Sequence, residues 1–191
     1  MKLSVPPRTV QVWEDGLLPP VEAGDLVLVR HHGFVARAIR FAQRLRKPRG
    51  VPRSEWRQFC RVNHACIALT SSPRILVAQA TGAGVVVTPL HEMSVASLAV
   101  VHLAAWPDQA EAVVEFARDS VGTGYGFAQI AADLLNAASG LELSLGWGDR
   151  MVCSTAACRA LERTSFIPDR APDCVTPAHL AWYFGAIVAS V

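Results

Sequence analysis

Three short apolar runs stand close together in the middle of this 191-residue chain: Val62 to Leu69, Ile75 to Ala80 and Val85 to Pro89. The gaps between them hold Ser71-Ser72-Pro73 and Thr81-Gly82-Ala83-Gly84, residues that form turns. Runs of this length and composition read as strands. Gaps this short join antiparallel neighbours, because a parallel crossover needs a dozen residues or more. An antiparallel meander is therefore predicted here, and the remaining chain must be built around it.

Two further strands are predicted, Leu26 to Arg30 after the Gly24-Asp25 turn and Leu98 to Trp106. From Gly33 to Arg46 the apolar residues Phe34, Ala38, Ile39, Phe41 and Leu45 recur at helical spacing, with arginines on the other face. Lys47 to Ser54, with its prolines and glycine, reads as a loop. The second half reads as helices over Asp108 to Val121, Phe127 to Ala138 and Ser154 to Arg163, with a loop at Gly146 to Asp149. A last helix opens at Thr176-Pro177, threonine as cap and proline in the first turn. Strands first and helices after them give an α+β class. Residues 1–20 carry four prolines and little periodicity. We therefore expect an arm over residues 1–23 and a single domain over residues 24–191.

Half the residues are hydrophobic and 18% are charged, which fits a packed core and excludes a disordered chain. Charge is unevenly placed. Between Arg37 and Arg57 lie eight Arg or Lys and one acid, Glu55, a local +7 in a chain of net +2, so the remainder carries −5. Such a segment can meet phosphates, anionic lipid or an acidic partner, or can be a solvated helix and loop. It contains no nucleic-acid-binding motif.

The five cysteines, Cys60, Cys66, Cys153, Cys158 and Cys174, form no C-x-x-C pair and no zinc-ribbon spacing. An odd set suggests reduced thiols and cytoplasmic synthesis. Met1 to Pro20 has no apolar run of signal-peptide length, and Ala181 to Val191 is too short to span a bilayer. Export and association with a phage particle stay open. No phosphate-binding loop, dinucleotide fingerprint or G-x-S-x-G elbow occurs, and no His/Cys/Asp cluster has metal-ligand spacing, so no cofactor and no metal are expected.

Cys153 stands at the mouth of a predicted helix, before Ser154-Thr155-Ala156-Ala157. The positive end of a helix dipole favours the thiolate, which is the nucleophile in acyl transfer. The alternative is a small buried hydrophobe, the usual fate of a cysteine that bridges nothing. Cys158, on the same helix, fits that second role. A nucleophile needs a base. His64 lies early in an apolar strand, and alternation puts His64, Cys66 and Ala68 on one face. Gln79 is the only polar residue of the next strand, and a lone amide there must find a partner. A hydrogen bond to the His64 ring would satisfy it and fix the imidazole tautomer. Backbone or solvent could equally satisfy it.

In their order along the chain these residues resemble the circularly permuted NlpC-type papain-like superfamily, close to YiiX-like hydrolases and lecithin retinol acyltransferase relatives. Gly24-Asp25-Leu26-Val27 looks like its opening motif. Asn63-His64-Ala65-Cys66-Ile67 looks like its SHVGI strand, and Val77-Ala78-Gln79-Ala80 with Gly84-Val85-Val86 and Pro89-Leu90 looks like its EA…GV…PL run. Tyr125-Gly126-Phe127 looks like its YDF motif, and Val152-Cys153-Ser154 opens a stretch like its CSELV helix. The chain departs at Gln79, where relatives carry Glu, at Asn63 for Ser and at Gly126 for Asp. An amide orients imidazole but cannot stabilise imidazolium by charge.

The resemblance implies a permuted papain-like fold, an antiparallel sheet packed against helices with the nucleophile at a helix N-terminus. It implies a cysteine peptidase or amidase-type hydrolase, or an acyltransferase, acting on a peptide, isopeptide or lipid-type amide or ester bond. Cys153 would attack, His64 would serve as base, Gln79 would hold His64, and Tyr125 would help bind the oxyanion. A binding module that keeps the fold without activity is the alternative.

Overall fold

The computed structural model describes residues 3–5, 8–13, 18–103, 107–124 and 151–188. Six strands form one antiparallel sheet: β1 (Thr9–Val12), β2 (Leu26–His31), β3 (His64–Ala68), β4 (Leu76–Thr81), β5 (Gly84–Pro89) and β6 (Val95–His102). Their spatial order is β1-β6-β2-β3-β4-β5, every neighbour antiparallel. The helices are α1 (Phe34–Leu45), α2 (Arg53–Phe59), α3 (Pro107–Asp119), α4 (Cys153–Leu161) and α5 (Pro177–Phe184). The class is thus α+β, with β3, β4 and β5 as the expected meander. The predicted helix Phe127 to Ala138 and the loop Gly146 to Asp149 lie outside the described residues.

Alternation divides the sheet cleanly. Leu26, Leu28, Ala65, Ile67, Ala78, Ala99 and Val101 point to one side and join the main core with α2, α3, α4 and α5. Val27, Val29, Cys66, Ala68, Val77, Leu98 and Val100 point to the other, under Val21, Ile75 and Leu90. Burial on both sides explains why these strands read as continuous apolar runs.

Two elements differ from the sequence-based expectation. Within the expected arm, Thr9–Val12 is a strand paired to β6, from Thr9↔His102 to Val12↔Ala99, and Ser4 bridges to Ile167. Val10 and Val12 pack against the main core, which gives this short segment a reason to order. Arg53–Phe59 is helical where a loop was expected through Ser54. Trp56 and Phe59, one turn apart, are both buried and anchor it.

The termini of the elements obey simple local chemistry. Gly24 takes φ +94°, and a Cβ there would sit 2.9 Å from the Ala110 Cβ, so the turn into β2 needs glycine. Asp25, fully buried beside it, accepts from the backbone N–H of Glu22 at 2.7 Å and of Leu103 at 3.3 Å, and from Nδ1 of His102 at 2.8 Å. Thr176 caps α5: its side chain accepts from the His179 N–H, and Nδ1 of His179 accepts from the Thr176 N–H at 3.2 Å. Gln43, on α1, is buried and satisfied on both sides of its amide. Nε2 donates to the Val62 carbonyl at 2.8 Å and Oε1 accepts from the Ala178 N–H at 2.9 Å. Its own carbonyl accepts from Nε1 of Trp56 at 2.8 Å. One residue therefore fastens α1 to α2, to α5 and to the lead-in of β3.

Candidate functional site

His64 is the first residue of β3, opposite Val29 of β2, and is half-buried. Backbone pairing between β3 and β4 covers Ile67↔Ala78 and Ala68↔Val77 and stops short of His64. Beyond that point the strands are linked by side chains. Nε2 of His64 donates to Oε1 of Gln79 at 2.8 Å, and Nε2 of Gln79 donates to Oγ1 of Thr88 on β5 at 2.9 Å. The amide expected to need a partner has two. With its proton held on Nε2 by the Gln79 oxygen, the neutral ring keeps its lone pair on Nδ1, the atom that can accept a proton.

Burial pushes the His64 imidazole below its ordinary pKa, and the Gln79 hydrogen bond acts against that push. The ring is therefore a neutral acceptor at pH 7. A second imidazole lies beside it: the His31 ring centroid is 5.3 Å from that of His64. Burial also lowers the His31 pKa, with its hydrogen bond to the Ser94 carbonyl opposing. Asn63 fixes the backbone there, Oδ1 accepting from the His31 N–H at 2.8 Å and Nδ2 donating to the His31 carbonyl at 3.2 Å.

Cys153 is the first residue of α4 and is buried. Val152 at the N-cap offers no side-chain hydrogen bond to the first turn. Cys153 packs with Met151, Ala80 and Val85, on the helix-covered side of β4 and β5. It borders the same enclosed space as Ala65, Cys66 and Ala156. Gly84, before Val85, takes φ +109° and approaches the Thr123 carbonyl so closely that no Cβ fits there.

The other thiols differ from one another in setting. Burial pushes Cys60 up to about 12, and pushes Cys66 and Cys158 higher still. Cys66 is raised further by its proximity to Cys153. All three are protonated and inert at neutral pH. None of the five cysteines is in a disulfide.

The structure brings His64 and Gln79 together on the sheet face turned away from the helices and sets Cys153 on the helix-packed face of the same strands, so it does not bring Cys153 and His64 together. Tyr125 lies outside the described residues. Sequence reasoning missed His31, Asn63 as a bracket for β2, and Thr88. His31 was legible only as one of two adjacent histidines at a strand end, and Thr88 carried no signal until β5 was registered against β4. No family model matches this chain, and no curated protein sequence matches it.

Proposed function

We propose that this protein is a cysteine hydrolase or acyltransferase of the permuted papain-like kind, with Cys153 as nucleophile and His64 as base. The observation that carries the reading is the hydrogen bond from Nε2 of His64 to Gln79, which leaves Nδ1 as the proton acceptor. In support stands a cysteine as first residue of a helix packed on β3 and β4. A helix N-terminus stabilises a thiolate, and backbone N–H groups in its first turn suit a developing oxyanion.

The reading requires Nδ1 of His64, which in this structure lies on the sheet face turned away from α4, to reach the Cys153 thiol and take its proton as Sγ attacks the carbonyl carbon of an amide or ester. The tetrahedral intermediate collapses when His64 returns that proton to the leaving nitrogen or oxygen, giving an acyl thioester. Water or an amine then attacks the thioester carbon and loses its proton to His64. The thiolate leaves and is reprotonated from the imidazolium. Gln79 keeps the ring oriented throughout but supplies no negative charge to the imidazolium. Peptide or isopeptide bonds and lipid-type amides or esters are the candidate substrates.

The amide at Gln79 also favours a second reading, a binding module on the same fold, because its bond to Thr88 serves structure equally well. Alkylation by iodoacetamide, read at each cysteine across pH, separates the two. Under the first reading Cys153 reacts fastest, stays reactive below the ordinary thiol pKa of about 8.5, and loses that advantage in His64→Ala. If Cys153 reacts no faster than Cys158, the hydrolase reading fails.

A further inference from the structure

Helix α1 is attached on one side and bare on the other. Ala36, Ala42 and Gln43 are buried, and Gln43 makes the ties to β3 and α5. On the opposite side Phe34 is 87% exposed, Phe41 63% and Leu45 54%. With Ala38 they recur at i, i+4, i+7 and i+11, a single stripe along the helix, and Val35 widens it at 68% exposure. Single exposed apolar residues are ordinary, but a continuous stripe edged by one sign of charge marks an interaction face. That edge is basic. Arg37 and Arg44 are exposed beside the stripe, and α1 contains no acid. Beyond the helix Arg49, Arg53 and Arg57 are exposed as well.

We propose that α1 is a membrane-surface helix that lies in the interface of an anionic lipid bilayer. Phe34, Phe41 and Leu45 enter the boundary between headgroups and acyl chains, while Arg37 and Arg44 meet lipid phosphates. An amphipathic helix with aromatic and aliphatic residues on one side and arginines beside them has the composition of an in-plane helix. Among the described residues no helix is long and apolar enough to cross a bilayer. A second copy is disfavoured as occupant. Two α1 stripes set face to face would bring Arg37 and Arg44 of both copies together with no acid on either helix to offset them. Nucleic acid is disfavoured because the most exposed side chains of the stripe carry no hydrogen-bonding group. The inference is independent of the chemistry at Cys153.

The test is sedimentation of the full chain with vesicles of phosphatidylcholine, with and without one-third phosphatidylserine. Binding is expected to the phosphatidylserine vesicles and to weaken as salt is raised. Replacing both Arg37 and Arg44 by Ala lowers the partition coefficient about thirtyfold, since each basic residue near an anionic surface contributes about 1 kcal/mol. Phe34→Ser with Phe41→Ser lowers it by about tenfold or more. All four positions are exposed, and an unchanged melting temperature confirms that the variants fold. The proposal is overturned if the wild type ignores both vesicles, or if the variants bind as it does. It is also overturned if α1 instead drives self-association or binds nucleic acid while vesicles stay unbound.

Discussion

Along β3 the odd-numbered Ala65 and Ile67 meet the helices, whereas the even-numbered His64 and Cys66 turn to the other side of the sheet. The helix side is mainly apolar, and among its polar ties are those that the helices make through Gln43 and Thr176. On the other side His64, Gln79 and Thr88 form a hydrogen-bonded chain at one end, and His31 stands beside it. The same strands therefore separate two demands. One side excludes water and fixes the fold. The other holds a basic ring where backbone pairing has ended.

The comparison can be broken most severely from the helix side. Trp56, fully buried against the His179 ring, is the heaviest anchor of α2, and Trp56→Ala is expected to cost about 3–5 kcal/mol in denaturant unfolding. Gln43→Ala leaves the Ala178 N–H and the Val62 carbonyl without their partner in the core. We expect a loss of about 2–3 kcal/mol, measured the same way.

On the polar side the effects on stability are smaller and the informative quantity is the His64 ring. Gln79→Ala should cost about 1 kcal/mol and lower the His64 pKa further, because the opposing hydrogen bond is lost. Gln79→Glu should raise that pKa. Both shifts are read by NMR titration of the ring, and an unmoved pKa would mean the pair is not coupled in solution. The pH dependence has a definite sign. Burial lowers the folded pKa of His64, His31 and His179 below the unfolded value, so the unfolded chain binds protons more readily in that window. Stability should be full above about pH 6.5 and fall as the pH drops below it, followed as the denaturation midpoint from pH 7.5 to pH 5. Thr88→Val, the mildest change, should cost about 0.5–1.5 kcal/mol and leave the His64–Gln79 bond in place.

Strands β2 through β5 were legible as apolar runs bounded by turn residues, α1 and α3 by their amphipathic spacing, and α5 by its Thr176-Pro177 start. Strand β1 has four residues and α2 seven, too few for a period to emerge. Both are fixed by distant partners, β6 and the main core, that a local reading does not see. The same distinction holds at the candidate site. Gln79 was legible because a single amide in an apolar strand requires a partner within reach. His31 and Thr88 became neighbours of that pair only through register, which depends on turns and pairing well outside their own segments.

Strand β1 has a consequence for how the protein tolerates handling. It pairs with Ala99 to His102, the second half of β6, an eight-residue, mostly buried strand. Arg8 adds a latch, its Nε donating to the Phe184 carbonyl at 2.8 Å. Truncation before Trp13 would uncover the buried Ala99–His102 edge, ready to pair with another chain, so a shortened protein should aggregate rather than merely lose stability.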